Sequence, residues 1–273
     1  MTRDTNRMKM KICLFLCALT LLLSCNTAPA KRYGFLAMLG HDTISVEGIT
    51  RQGNTITSDE VDRFPTVRIR HTVVDLNDDG SIRHLVMDIH TPSEPSGQRD
   101  RKVVADVANN KVHLSKTDST GTVNRDFPTA GSIVVAHVPQ MYSLYELYFA
   151  AALKRSAASK LTAGSPVQMR QFYIDREFDR FPLGQATVTP LSNGKIEVTH
   201  DWLSGTGEAM MDSGYNMLSY SGTRTTYKVE VKQLATPPDV KDIANRFESK
   251  EAAGGRVKSL SVRDTIRAHI GNG

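Results

Sequence analysis

From Tyr33 to about residue 234 apolar and polar side chains alternate, with turn-forming residues every ~8–12 positions. The alternation predicts strands at 33–40, 43–50, 66–75, 81–91, 101–108, 111–117, 132–138, 167–175, 185–191, 195–202, 207–212, 215–220 and 224–234. Asn193-Gly194 lies between Thr187-Val188-Thr189 and Ile196-Glu197-Val198 and marks a two-residue hairpin turn. Ser213-Gly214 marks another, between Ala209-Met210-Met211 and Tyr215-Asn216-Met217. Asn77-Asp78-Asp79-Gly80 suits a type I turn closed by a left-handed glycine. Pairing Asn77 with Ser81 then fixes a register. Arg70 faces Asp88, Arg68 faces His90 and Val74 faces His84 on a charged, solvated side. Ile69 faces Ile89, His71 faces Met87 and Val73 faces Leu85 on an apolar side.

Two stretches carry the helical period instead. Ser143-Leu144-Tyr145-Glu146 reads as a capping box, with Tyr142 and Leu147 as its hydrophobic staple. The helix it opens runs over 143–158 and is apolar on most sides until Lys154, which predicts burial against a concave sheet. A second helix at about 239–250 places Val240, Ile243, Ala244 and Phe247 on one face, and Ala252-Ala253-Gly254-Gly255 reads as a flexible linker. The expected fold is mainly β (α+β): a curved antiparallel sheet or unclosed β-barrel wrapping one buried helix.

The N-terminus follows a different rule. Arg3, Arg7, Lys9 and Lys11 precede the apolar run Ile12 to Leu23, the layout of a secretory signal and too short to span a bilayer. The run closes on Leu22-Leu23-Ser24-Cys25, which resembles the lipobox of bacterial lipoproteins. That resemblance implies removal of residues 1–24 and acylation of Cys25, with Asn26 pointing to the outer membrane where one exists. Residues 25–32 become a lipidated tether and the protein faces the periplasm. The strand–helix–strand pattern is similar to the unclosed β-barrel of periplasmic lipoprotein carriers. Leu260-Ser261-Val262-Arg263-Asp264 resembles the opening strand of uncharacterised secreted bacterial β-sandwich domains, with Val262 where proline is expected. The expected layout is thus a β domain over 33–235, a helix and linker over 236–256, and over 257–273 either the start of a further β domain or a frayed end.

Losing the leader changes the charge argument. The net charge of +5 falls to +2, because four basic residues leave with one acidic one. No basic stripe remains for nucleic acid. Cys13 and Cys17 leave with the leader and Cys25 is consumed by lipid, so the mature chain has no thiol for a disulfide, a nucleophile or a metal.

The candidate chemistry is sparse. Asp75, Asn77 and Asp79 occupy the first, third and fifth positions of a calcium loop, but Val86 stands where a bidentate glutamate is needed, and a hairpin turn asks for the same residues. His84, Asp88 and His90 share a strand face, yet the two imidazoles are roughly 20 Å apart on an extended strand, too far for one ion. His200 and Asp201 are the candidates for a hydrolase site, without a Gly-x-Ser-x-Gly elbow to support them. Tyr142, Tyr145, Tyr148, Phe149, Met210, Met211 and Met217 either line a cavity for a lipid-like molecule or form plain core. No cofactor is expected. The expected role is a lipid-anchored, non-enzymatic module of the cell envelope that binds an apolar ligand or a partner protein. The alternatives are an envelope hydrolase and a membrane tether for a further domain.

Overall fold

The computed structural model describes residues 29–64, 66–174, 183–200, 206–224 and 227–254. Their fifteen strands form one open sheet. They are β1 (Lys31–Leu39), β2 (Asp42–Gln52), β3 (Thr55–Asp62), β4 (Arg68–Leu76), β5 (Ile82–His90), β6 (Asp100–Ala108), β7 (Lys111–Asp118) and β8 (Gly121–Pro128), then β9 (Val134–His137), β10 (Val167–Tyr173), β11 (Gly184–Pro190), β12 (Lys195–His200), β13 (Thr206–Met211), β14 (Met217–Arg224) and β15 (Tyr227–Leu234). Two helices accompany them, α1 (Tyr142–Ala158) and α2 (Val240–Ala252). The protein is mainly β, a curved sheet around a buried helix.

β1 lies mid-sheet. The chain meanders outward from it to the edge strand β8, crosses to the opposite edge at β9, and returns strand by strand until β15 pairs with β1. All pairings are antiparallel except β9 with β10. A parallel pair needs a long crossover, and α1 supplies it. The sheet curls until β9 lies against β5.

The inner face is built from alternate residues such as Phe35, Ile49, Ile56, Val74, Leu85, Met87 and Leu114, which form one core with α1. Every residue of α1 from Tyr142 to Ala152 is buried, as its all-round apolar sequence demands. Its second half rests on the β4–β5 turn. Gly80, at φ +86°, packs beside Ala151, and Lys154 Nζ donates to the Asp78 carbonyl at 3.3 Å.

α2 covers the other face. Ala244 and Phe247 pack on Val46, Val61 and Val67, and the Arg63 guanidinium sits 5.1 Å from the Phe247 ring centre. Asp239 caps the helix by accepting from the Asp242 amide at 3.0 Å. Gly254 ends it, donating to the Glu251 carbonyl at 2.9 Å with φ +80°. The helical part of 236–256 is therefore docked on the sheet. Pro238 lies flat on the same face because Gly34 has no side chain: a Cβ there would stand 2.7 Å from Pro238 Cδ and 2.4 Å from the Glu47 carbonyl oxygen.

The structure corrects the sequence reading in several places. β3 and β8 were not expected. β3 turns Ser58, Glu60 and Asp62 inward beside Ile56, so its buried face is mostly polar, and β8 is exposed along nearly all its length. β1 begins inside the stretch expected to be a tether. The Asn77–Gly80 turn forms as expected, with the Asn77 amide donating to the Ser81 carbonyl at 2.8 Å. A bulge follows: Leu76 pairs with Ile82, but Asp75 pairs with His84, leaving Arg83 extra. Beyond it Arg70 faces Ile89, His71 faces Asp88 and Ile69 faces His90. Leu85, Met87 and Ile89 point inward as expected, whereas β4 is inverted: Arg68 and Arg70 are buried and His71 faces outward. The two-residue turns are also longer than expected. Leu191 closes on Lys195 around Ser192-Asn193-Gly194, and Asp212 closes on Asn216 around Ser213-Gly214-Tyr215. Asn193, Gly194 and Tyr215 all have positive φ in these loops.

Candidate functional site

The register that buries Arg70 arranges imidazoles and carboxylates in rows across the outer face. Asp75, His84, Asp106, His113 and Asp126 are successive partners from β4 to β8. Asp59, His71, Asp88 and Lys102 form a second row from β3 to β6, and Ile69, His90 and Asp100 a third from β4 to β6. Each histidine Nδ1 meets a neighbouring carboxylate: His71 with Asp59, His84 with Asp106 and His113 with Asp126 at 2.7 Å, and His90 with Asp100 at 2.6 Å. A carboxylate accepts only, so the imidazole Nδ1–H donates. These pairs are about half exposed, so solvent screening leaves each only a weak contribution to stability. Hydrogen bonds from His113 and Lys111 hold Asp126 below the usual carboxylate range.

Two clefts open over this surface. The first, about 620 Å³, lies between the start of α2 and strands β2–β4, with Arg32, Asp59, Pro238 and Lys241 at its walls. The second, about 570 Å³, lies over β4–β7 beside the turn at Ser96 and Gly97, with Asp88, Arg101 and Lys102 at its walls. Ile69, His71 and His90 line both, so the two clefts adjoin along these side chains. The turn is held by Ser119, whose hydroxyl donates to the Gly97 carbonyl, and by the Thr91 amide donating to the Arg99 carbonyl at 2.9 Å. The result is a long, open groove with an apolar centre at Ile69 and charges of both signs along its flanks. None of the four imidazoles hydrogen-bonds a serine or threonine hydroxyl among the described residues, so no nucleophile–base pair is assembled here. No group of three His, Asp or Glu among the described residues is arranged to hold a metal ion.

Beneath the groove, on the inner face of the same strands, is a buried polar layer that sequence reasoning missed. Arg70 Nη1 donates to Glu60 at 2.6 Å and also to Asp62. Arg68 donates to Asp62 at 3.0 Å and to Gln140 Oε1 at 3.1 Å. Ser45 bridges Glu60, at 3.1 Å, and the Gln140 carbonyl, at 2.8 Å. Burial pushes the Glu60 carboxyl up to about 8 against the pull of Arg70, and the two carboxylates raise the Arg70 guanidinium further.

Glu47 continues the layer to α1. It accepts from the Ser143 amide at 2.8 Å and from the Ser58 hydroxyl at 2.5 Å, and burial raises its carboxyl. The expected capping box is thereby replaced. The helix starts after Met141 with no side-chain cap of its own, and a carboxyl from β2 satisfies its first turn. Glu146 is turned away from that end. It accepts from the Met217 amide at 2.8 Å and from the Tyr33 hydroxyl, and burial raises it to about 7.

The expected site residues distribute as follows. Tyr142, Tyr145 and Phe149 meet Tyr220 in one ring cluster, with centroids 5.2–6.2 Å apart. Tyr148, Met211 and Met217 are buried in the same core, while Met210 lies on the outer face in a depression of about 240 Å³ with Lys195 and Glu208. Asp75 accepts from the Thr55 hydroxyl of β3 at 2.7 Å, Asp79 accepts from the Ser81 amide at 2.9 Å, and the Asn77 side-chain amide donates to the Ser81 hydroxyl at 2.9 Å, so all three are engaged by neighbouring residues of the sheet and its turn. His200 ends β12 opposite Ala186. Asp201, Cys25 and the segment 257–273 lie outside the described residues.

No protein-family model matches the chain, and no curated protein matches it. The solved structures similar to it include two of unknown function. One is a DUF1089 family protein from Pseudomonas aeruginosa, at 13% identity and a TM-score of 0.48, covering 65% of this chain and 89% of that one. The other is a β-barrel-like protein of domain of unknown function DUF1849 from Brucella abortus, at 11% identity and a TM-score of 0.47, covering 76% of this chain and 95% of that one.

Proposed function

We propose that the protein is a lipid-anchored, non-enzymatic binding module of the cell envelope, and that it receives a partner protein in the outer-face groove. The observation that carries this reading is that the two clefts adjoin along Ile69, His71 and His90. A long trough with an apolar centre and paired charges on both flanks suits an extended polypeptide, whose backbone and side chains present complementary groups along its length. A small apolar ligand wants an enclosed pocket instead. The lipobox at Leu22–Cys25 supports the anchor, with two or three acyl chains holding far more firmly than one.

Both parts are open to direct test. A photoreactive amino acid is placed at position 71 or 241, inside the groove, or at the exposed Leu218 as a control. Cross-linking in intact cells should trap one envelope protein from the groove positions and none from the control. Equal adducts from all three positions, or none from the groove, refute the docking site. Metabolic labelling with an alkyne fatty acid should mark the wild type and fail to mark Cys25→Ala. A label that survives the substitution removes the anchor.

A further inference from the structure

The chain enters the sheet at one end of the molecule, where β1 starts at Lys31 beside Arg51 of β2. On the second arm the same end carries three loops: 159–166 between α1 and β10, 191–194 between β11 and β12, and 212–216 between β13 and β14. They form one rim. The Gly164 amide donates to the Pro190 carbonyl at 2.7 Å. Gly194, at φ +74°, lies so close to β13 that a Cβ would stand 2.3 Å from the Met211 carbonyl oxygen. Lys31 is near enough to act on the Asp212 carboxylate, which links the start of β1 to the third loop. Exposed apolar side chains gather here. Among the described residues the large hydrophobics left open to solvent are Val123, Leu161 and Leu218, at 39%, 41% and 43%. Leu161 is in the first loop and Leu218 is the second residue of β14, just past the third. Tyr215, half-buried near the tip of that third loop, has φ +63°, a costly backbone conformation for a bulky side chain. The Asp212 carboxylate holds the loop in shape by accepting from the Gly214 amide at 2.9 Å and the Asn216 amide at 2.8 Å. Lys31 and Lys160 are exposed on the same rim. One exposed leucine means little. Two on one rim with a tyrosine and lysines make the composition of a surface that meets lipid headgroups.

We propose that this rim rests on the bilayer that holds the lipid anchor, with Leu161, Tyr215 and Leu218 at the level of the headgroups. The inference rests on the acylation of Cys25 proposed for the anchor. Six peptide steps separate Cys25 from Lys31, so the chain between them reaches ~20 Å at most, whatever its path. The tether therefore keeps the rim within touch of the membrane. The apolar side chains and the lysines then set which way the body stands, with ammonium groups beside anionic headgroups and the leucines just beneath. Val123, near the start of β8, lies towards the opposite end of the sheet and is held clear of the lipid.

The test uses single cysteines. With Cys13 and Cys17 lost with the leader and Cys25 acylated, an introduced thiol can be labelled alone. Leu161→Cys, Tyr215→Cys and Val123→Cys, each carrying a nitrobenzoxadiazole dye, are purified from cells as the full mature chain. Each is reconstituted in vesicles of phosphatidylethanolamine and phosphatidylglycerol that contain a nitroxide-labelled lipid. The dyes at 161 and 215 should shift to the blue and lose most of their emission to the nitroxide, while the dye at 123, on a side chain of matched exposure, should emit as in water. The mass of the N-terminal peptide reports acylation in the same samples. If the protein is acylated but 161 and 215 are quenched no more than 123, the rim contact is overturned and the anchor stands. Equal quenching at all three positions overturns it too. A chain found without acyl groups removes the anchor, and this inference with it.

Discussion

Arg70→Met separates the observed register from its one-residue alternative. In the structure Arg70 is 1% exposed and its two partners, Glu60 and Asp62, are fully buried. Methionine fills much of the same volume without the charge. The variant leaves two carboxyls side by side with only Arg68 to serve them, and breaking a buried pair from one side costs about 3–5 kcal/mol. Were Arg70 on a solvated face opposite Asp88, the same substitution would cost under ~1 kcal/mol. The pH dependence sharpens the distinction. Without Arg70 the Glu60 carboxyl is raised further above its unfolded value. An acid with a raised folded value gives its stability at low pH and loses it as pH climbs through the unfolded and then the folded value. The deficit of Arg70→Met should thus be larger at pH 8 than at pH 5. Adding Glu60→Gln should recover much of it, because the surplus carboxyl is gone. Urea unfolding of the wild type, both single variants and the double variant at the two pH values measures each quantity and the coupling between them. A loss below 1 kcal/mol at pH 8, or no rescue by Glu60→Gln, refutes both the register and the buried layer.

Three further outcomes are expected. Phe247→Ala should cost about 3 kcal/mol, as truncation of a buried ring does, and exchange within 240–252 should accelerate while the sheet stays protected; unchanged exchange there would mean α2 is held by something else. Gly34→Ala should destabilise by about 1–3 kcal/mol because its Cβ meets the Glu47 carbonyl and Pro238, whereas Gly48→Ala, whose Cβ has 3.6 Å of room, should be nearly neutral; equal effects in thermal melts would contradict the close seating of Pro238. Glu146→Gln should raise stability by up to about 3 kcal/mol above pH 7, the equivalent of a shift from 4.5 to about 7, with the gain vanishing well below the unfolded value of 4.5, where the wild-type carboxyl is protonated in both states; a gain independent of pH in unfolding titrations would show that ionisation is not its source.

Most of the strands were legible because their inward residues are apolar. β5 shows why: Leu85, Met87 and Ile89 fix its face whatever its partners do. β4 was inverted because Arg68 and Arg70 are charged, and charge ordinarily means solvent. Only the bulge at Arg83 separates the two registers, and no local signal announces it. β3 was invisible for a related reason, since of its inward positions only Ile56 is apolar while Ser58, Glu60 and Asp62 are polar and spell no apolar period. α1 was found through its apolar circumference, yet its cap was misassigned because Glu47 lies almost a hundred positions away in sequence. The groove fared worst. The shared parity of His84, Asp88 and His90 was visible, but their partners Asp106, Lys102 and Asp100 are defined only once β5 and β6 are aligned, and His71 meets Asp59 only through the unrecognised β3.

The placement of β1 has a consequence for biogenesis. Strands β1–β8 contact their sequence neighbours, so that arm can assemble hairpin by hairpin as the chain is synthesised. The second edge of β1 has no partner until β15, almost two hundred residues later, has been delivered. Throughout that interval an unsatisfied row of amides and carbonyls is open to capture by another nascent copy or by a holdase chaperone. Pulse-labelled exchange during refolding should accordingly find β1 among the last strands to gain full protection, although it is among the first to be made.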